Sequence, residues 1–368
     1  LLKTFDRVTA LLRSGKAVSC YTPTIGGIAE GIMKMCFGNA LGFRFNKALT
    51  SEDIFGYCYG GFLLEVTEEI EDCVEIGRIT TEREIAMGDE RIALKELLYV
   101  YENKLESVYR CNRENPASKM ETFSYKTTSR TAPAVKMARP RVLIPVFPGT
   151  NCEYDSARAM LDAGADPEIF VVNNQTAEKV ARSVERFANS LKTAQIVFIP
   201  GGFSGGDEPD GSGKFITAFF RNAAVSEQIT NLLERRDGLM CGICNGFQAL
   251  IKLGLVPYGR IMDVDESCPT LAYNAIARHQ SKIVRTRIAS NKSPWLAETE
   301  VGDVYSVPIS HGEGRFTASE ELIRRLAENG QIATQYVDEN ACATNDIRFN
   351  PNGSAYAIEG ITSPDGRV

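Results

Sequence analysis

The sequence predicts an α/β protein, a doubly wound parallel sheet preceded by a smaller α+β unit. Three observations predict it. From Arg141 onward, apolar runs of strand length alternate with stretches of helical periodicity. The runs are continuously apolar, as strands covered on both faces are. Gly164 and Gly254 stand directly after two of the helical stretches, where helices commonly end.

The pattern predicts each element of this sheet in order. The expected strands are Val142–Phe147, Glu168–Val172, Gln195–Pro200 and Leu239–Ile243. The expected helices are Ala157–Ala163, Glu178–Leu191, Phe215–Glu234 and Phe247–Leu253. Ligands of open α/β sheets bind beyond the carboxyl ends of the strands. The segments that begin at Pro148, Gly201 and Cys244 are therefore the predicted site.

Composition divides the chain into three parts. Residues 1–111 read as an α+β unit, 112–139 are polar without an apolar period and are expected to be a linker, and 140–368 hold the alternating pattern. The chain opens Leu-Leu-Lys, with helical periodicity already under way. We therefore expect it to be part of a longer polypeptide.

Charge and cysteine usage exclude several classes of protein. Lys plus Arg is 41 and Asp plus Glu is 47, a net charge of −6, so nucleic acid and anionic membrane are not expected partners. No run reaches the ~18 apolar residues of a membrane helix. The ten cysteines are scattered and no signal peptide is visible, which favours a cytoplasmic protein with reduced thiols.

The strongest chemical motif is Gly242-Ile243-Cys244-Asn245-Gly246, between an apolar strand and a helix. This is the cysteine version of a nucleophile elbow. A thiol at a helix N-terminus is favoured as thiolate, and the N–H of Asn245 is a candidate oxyanion donor. The alternative is that Cys241 and Cys244 form a redox or zinc pair. No second close pair of ligands exists for zinc, and Cys241 falls inside the strand, so we expect no metal site.

A cysteine nucleophile needs a base, and the chain has only two histidines. His311 and Glu313 are two residues apart after an apolar strand, so in an extended chain they project to one face, and Glu313 is expected to hold the ring. His279 has no nearby carboxylate and is expected to be structural or to line the site. The turn at Gly202-Phe203 follows another strand and is a candidate second oxyanion donor, or else a plain glycine turn.

These motifs together resemble the class I glutamine amidotransferases, and in detail the glutaminase domains of phosphoribosylformylglycinamidine synthases. Four segments in order carry the resemblance: Phe147–Cys152, Pro200–Ser204, Gly242–Gln248 and Ser310–Phe316. Residues 1–110 are similar, more weakly, to the end of the synthetase region of those enzymes. The resemblance implies a flavodoxin-like sheet and a Cys-His-Glu triad of Cys244, His311 and Glu313.

The resemblance also implies the substrate and the partner. Cys244 would attack glutamine, Gly202 and Asn245 would form the oxyanion hole, and Gln248 and Phe203 would contact the bound glutamine. Ammonia would pass to the synthetase region that precedes this chain, where ATP and Mg serve the conversion of formylglycinamide ribonucleotide. No cofactor is expected in this fragment. The sequence departs from the family after Ser204, where relatives often have an aromatic residue, and around Thr22–Ile25.

Two other functions stay open at this stage. One is another cysteine-elbow hydrolase of the peptidase or deglycase kind, although these often place a histidine directly after the cysteine, where this chain has Asn245. The other is a non-catalytic interaction module, against which the intact Cys244, His311 and Glu313 count.

Overall fold

A computed structural model of the chain describes residues 1–46, 49–109, 118–129, 132–203 and 213–368. The chain divides into two compact units, Leu1–Cys111 and Asn112–Val368. The predicted loop residues from Ser204 to Asp207 lie outside the described residues. None of the described helices has the length and apolar character that would be needed to cross a membrane.

The first unit mixes helices with two small sheets. Its helices are α1 (Leu2–Arg13), α2 (Gly27–Asn39), α3 (Ser51–Phe55) and α4 (Leu94–Asn103), and its strands are β1 (Ala17–Tyr21), β2 (Gly42–Phe45), β3 (Leu63–Val66), β4 (Gly77–Thr80), β5 (Glu84–Met87) and β6 (Glu90–Ala93). The strands β1 and β3 form an antiparallel pair, and the other four form a sheet of order β4-β2-β5-β6. Its core joins Ile32 and Cys36 of α2 to Phe43 and Phe45 of β2.

The second unit begins with alternating strands and helices. These are β7 (Arg141–Val146), α5 (Glu153–Asp162), β8 (Asp166–Val171), α6 (Ala177–Leu191), β9 (Ile196–Ile199), α7 (Lys214–Phe220), α8 (Ala223–Thr230), β10 (Leu239–Gly242) and α9 (Asn245–Leu253). The four strands are parallel, in the order β10-β9-β7-β8. Counted along the chain this order is 2-1-3-4, that of flavodoxin-like sheets.

Both faces of this sheet are covered. Leu143 and Val197 pack into the large core that holds α6 to α9, whereas Val142 and Ile144 pack with Met160 of α5. Successive strand residues point to opposite faces, so neighbours such as Val142 and Leu143 enter different cores. The predicted doubly wound α/β fold is thereby confirmed.

The remainder of the unit is mostly antiparallel. It contains α10 (Leu255–Tyr258), β11 (Thr270–Tyr273), β12 (Gln280–Ile288), β13 (Val304–His311), β14 (Glu313–Thr317), α11 (Glu320–Glu328), β15 (Ile332–Tyr336) and β16 (Ile358–Ile361). Strands β13, β12, β15 and β16 form one sheet in that order, and β11 pairs with β14 in another. Consecutive strands β13 and β14 therefore belong to different sheets.

Two expectations need correction in detail. The single helix expected at Phe215–Glu234 is broken at Asn222, whose side chain accepts from the N–H of Ala224 and starts α8. The segment expected as a linker is not a free tether over residues 118–129. Phe123 there is 8% exposed and lies in the core of the second unit, and its N–H donates to the Gln335 side chain at 2.8 Å.

Candidate active site

Cys244 occupies a strained turn between β10 and α9. Its φ of 52° and ψ of −105° are rare for a residue with a side chain. A Cβ on Gly242 would lie 2.6 Å from the carbonyl carbon of Gly246, and a Cβ on Gly246 would lie 2.2 Å from the carbonyl oxygen of Ile199. Only glycine fits at these two positions, so the helix can start directly behind the thiol. This is the geometry of a nucleophile elbow.

The Cys244 thiol meets two backbone donors. Burial raises its pKa, the N–H groups of Gly202 and Asn245 lower it, and nearby Glu313 and Cys152 raise it further. The net pKa is above the ordinary value, so the neutral thiol is favoured. In the free protein burial therefore outweighs the two donors at the start of the helix, which act toward the thiolate.

The Gly202 turn is fixed by the loop after β7. Thr150 and Gly202 form a backbone bridge, the N–H of Asn151 donates to the Gly201 carbonyl at 2.9 Å, and the N–H of Phe203 donates to the Gly149 carbonyl at 2.8 Å. The Phe203 N–H is thus engaged elsewhere. Of the two candidate donors in this turn, Gly202 is the one directed at the thiol.

His311 ends β13 and is held by a residue that the sequence did not single out. Its Nδ1 lies 3.1 Å from Oδ1 of Asn274. Its Nε2 is buried and has no hydrogen-bond partner among the described residues. Burial lowers the pKa of His311, and nearby His279 lowers it further, so the neutral imidazole is favoured.

Glu313 does not hold the His311 ring. Its Oε2 accepts a hydrogen bond from Nε2 of Gln248 at 3.0 Å, and Oε1 of Gln248 accepts from Nδ2 of Asn245 at 3.1 Å. The same-face contact is not formed because the chain leaves one sheet for another at Gly312, and the same-face rule holds only within a continuous strand. The place of Glu313 in the triad stays a prediction. The carboxylate therefore joins β14 to the helix behind the nucleophile.

A cavity of about 240 Å³ joins these side chains. It is lined by Gly202, Phe203, Cys244, Gln248, Tyr273, Ala277, Arg278, His279, His311, Gly312 and Glu313. Every predicted site residue lines it except Asn245, which is fully buried at the start of α9. His279 lines the cavity, with its Nε2 3.0 Å from Oγ of Ser310.

Sequence reasoning missed Asn274, Tyr273 and Arg278. They lie at and just after the end of β11, a strand too short to stand out in the apolar pattern. The one available signal was the neighbouring His279, which the sequence left open as structural or as lining the site and which lines the cavity.

Cys241 differs from Cys244 in its surroundings. It lies within β10 in register with Phe198 of β9. Burial raises the pKa of its thiol to about 12, with a further contribution from Glu359. No group of three or more His, Cys, Asp or Glu in the described parts of the chain is arranged to hold a metal ion.

This site has the features of cysteine-dependent acyl-transfer sites on open α/β sheets. They are the elbow at Cys244, the second backbone donor at Gly202 and the histidine at position 311. Residues 139–368 match the family described as CobB/CobQ-like glutamine amidotransferase domain. The match covers more than half of the chain, and the chain belongs to this family. The resemblance to glutamine amidotransferases inferred from the motifs is confirmed.

Curated relatives are similar over the same region. They include proteins named phosphoribosylformylglycinamidine synthase subunit PurQ from Salinibacter ruber (31% identical, 61% of this chain and 81% of the relative), Aquifex aeolicus (32%, 61% and 84%) and Methanococcus maripaludis strain C7 (34%, 62% and 79%). Among solved structures, one titled Structure of PurLQS from Thermotoga maritima is 24% identical with a TM-score of 0.44, over 62% of this chain and 84% of that one.

Proposed function

We propose that the second unit hydrolyses glutamine through Cys244 and supplies the ammonia for phosphoribosylformylglycinamidine synthesis. One observation carries the proposal. Cys244 stands on a glycine-flanked elbow, with the N–H groups of Gly202 and Asn245 at its sulfur, in a cavity shared with His311. This arrangement serves acyl transfer, because the two donors can stabilise the oxyanion that forms when a thiolate attacks a carbonyl.

The steps follow from the protonation states. Sγ of Cys244 attacks the side-chain carbonyl carbon of glutamine while its proton passes to Nε2 of His311. The imidazolium protonates the amide nitrogen, the C–N bond breaks, and ammonia leaves. A water molecule then gives a proton to His311 and attacks the glutamyl thioester. The C–S bond breaks, the imidazolium of His311 returns its proton to the Cys244 thiolate, and glutamate is released.

The other predicted residues have supporting roles in this proposal. Phe203 is 43% exposed and offers an apolar wall to the methylenes of glutamine. Glu313 places negative charge at the cavity, which stabilises the transient imidazolium. Gln248 is proposed to reach the substrate from the cavity wall, although its amide already bonds to Glu313 and Asn245.

The names of the relatives extend the proposal to the partner. They are called subunits of phosphoribosylformylglycinamidine synthase, and we infer that ammonia from this unit passes to a synthetase. The synthetase would bind ATP and Mg and convert formylglycinamide ribonucleotide to formylglycinamidine ribonucleotide. The steps at Cys244 themselves require no cofactor.

Glutamine labelled with ¹⁵N in its amide tests the function. With the synthetase portion, ATP, Mg and formylglycinamide ribonucleotide present, the label should enter the amidine product as glutamate appears. Hydrolysis of a peptide or a glycated amine without glutamine turnover would contradict the proposal and favour another cysteine hydrolase.

A further inference from the structure

A second cavity, of about 380 Å³, lies in the second unit away from the candidate active site. Its walls come from the segment after α9, from α11 and from the turn after β16, and none of its described lining residues also lines the cavity at Cys244. Helix α9 begins directly behind Cys244 and ends at Leu253, and its nine residues span about 13 Å. The proposed glutamine chemistry makes no use of this second cavity.

The floor of the second cavity is apolar and is held in place by a buried amide. Leu322 and Leu326 of α11 line it and are each 2% exposed. Gln331 is 3% exposed, and its Nε2 donates to the carbonyl oxygens of Pro257 at 2.8 Å and Thr362 at 2.9 Å. Because this one amide joins three segments of the chain, the floor is formed without a ligand.

Flat side chains stand beside this floor. Tyr258 and Pro364 line the same cavity. A Cβ on Gly259 would lie 3.2 Å from Cδ of Pro364, so the turn after α10 packs closely on the turn after β16. Burial raises the pKa of Tyr258 to about 12, and its hydroxyl is therefore neutral at pH 7. Leucine, proline and a neutral phenol together suit the apolar face of a ring.

Two arginines line the cavity without a partner in the described parts of the chain. Arg260 follows α10, and Arg325 lies in the last turn of α11. Neither guanidinium forms an ion pair or a side-chain hydrogen bond there, whereas the adjacent Arg324 binds Glu320 at 3.0 Å and also contacts Glu121. A guanidinium has five N–H donors in a planar fork, which matches the oxygens of a phosphate or carboxylate.

The acidic side chains beside the cavity are bonded to other groups. Asp265 is near Tyr258, and its Oδ1 accepts from the N–H of Ser267 at 2.9 Å and from the hydroxyl of Ser267 at 2.6 Å. Asp365 accepts from Nε of Arg367 at 2.7 Å. The guanidiniums of the cavity are therefore available to an anion from solution.

We propose that this second cavity binds an organic phosphate with a flat, apolar body, the chemistry of a nucleoside monophosphate. Arg260 and Arg325 hold the phosphate, because each can donate two parallel hydrogen bonds to its oxygens. The base lies on the apolar floor, which inorganic phosphate alone would leave uncovered. The volume of about 380 Å³ falls within the roughly 300–1,000 Å³ of small-molecule sites.

Equilibrium binding to the full chain tests this proposal without glutamine turnover. The probe is AMP, followed by isothermal titration calorimetry, and adenosine and inorganic phosphate serve as partial ligands. We expect AMP to bind at least about tenfold more tightly than either of them, because only AMP meets both the guanidiniums and the floor. Equal binding of AMP and one partial ligand, or no saturable binding of AMP at millimolar concentration, would overturn the proposal.

Substitutions locate the bound AMP. Arg260→Gln and Arg325→Gln should each weaken AMP binding by about tenfold, as expected for loss of a charged hydrogen bond, and leave adenosine binding unchanged. Both side chains are exposed and unpaired among the described residues, so the variants should fold. Arg324→Gln is the matched control, because it removes the same charge from the same helix at a residue that does not line the cavity.

Two results with these variants would contradict the site. Equal weakening in Arg324→Gln would mean that AMP responds only to the general charge of the surface. Unchanged AMP binding in both Arg260→Gln and Arg325→Gln would place the nucleotide elsewhere on the chain. If the protein failed to turn over glutamine, the proposed function would fail while the result with AMP stood.

Discussion

The nucleophile side and the base side of the site are built in different ways. The elbow that carries Cys244 is built from neighbours within a few residues, namely a strand, two glycines and the start of a helix, and only the second donor, Gly202, comes from a distant loop. His311 depends on Asn274, 37 residues away, and Glu313 faces a helix 65 residues away. Local backbone geometry therefore positions the Cys244 thiol, whereas the pairing of distant strands into sheets positions the His311 ring.

The largest expected effect is the loss of glutamine turnover when Cys244, but not Cys241, is replaced. Cys244→Ala should lower glutamine turnover by at least about a thousandfold, because the attacking atom is lost. Cys241→Ser is the matched control and should leave turnover nearly unchanged, since Cys241 lies within β10 and off the cavity. The measurement is glutamate release. A comparable loss of glutamate release in both variants would contradict the assignment of Cys244, and not Cys241, as the nucleophile.

This contrast explains how much the sequence could predict. The elbow and the sheet follow from patterns only a few residues long, namely apolar strands, glycines and helical spacing. The same-face contact expected between Glu313 and His311 assumed one continuous strand, and no local pattern indicates that β13 and β14 enter different sheets. The role of Glu313 in the triad stays a prediction. Asn274 could not be found, since a single asparagine after a four-residue strand carries no spacing signal.

A second prediction compares how much space is available for a side chain at Gly246, beside the nucleophile, and at Gly312, beside the base. Gly246→Ala places a Cβ 2.2 Å from a backbone oxygen and should lower the free energy of unfolding of the second unit by about 1–3 kcal/mol. Gly312→Ala meets nothing within 4 Å and should change it by less than about 0.5 kcal/mol. Denaturant unfolding measures both. Equal stability of the two variants would mean that the elbow is not sterically tight.

The third prediction concerns ionisation across the two sides. Because the pKa of Cys244 is raised and that of His311 is lowered, the resting pair should be a neutral thiol and a neutral imidazole at pH 7. The thiolate absorbance, taken as the difference between wild type and Cys244→Ala, should rise only above the ordinary thiol pKa. A thiolate already formed at pH 6 would show that the pair rests as ions.

The smallest expected effect lies on the base side, at Arg278. This side chain lines the cavity, and a guanidinium there is suited to the carboxylate of glutamine. Arg278→Gln should raise KM for glutamine by about tenfold with kcat little changed, as expected for loss of a charged hydrogen bond. The exposed Arg158→Gln on α5 is the control. A fall in kcat at constant KM would assign Arg278 to the chemistry instead.

The most direct test of the central claim is the site of covalent labelling. A diazoketone analogue of glutamine reacts with the nucleophile of such a site and leaves a stable thioether. Peptide mass spectrometry should place the adduct on Cys244 alone, and an excess of glutamine should slow its formation. An adduct on Cys241 or Cys152, or no glutamine-protected adduct at all, would contradict the account.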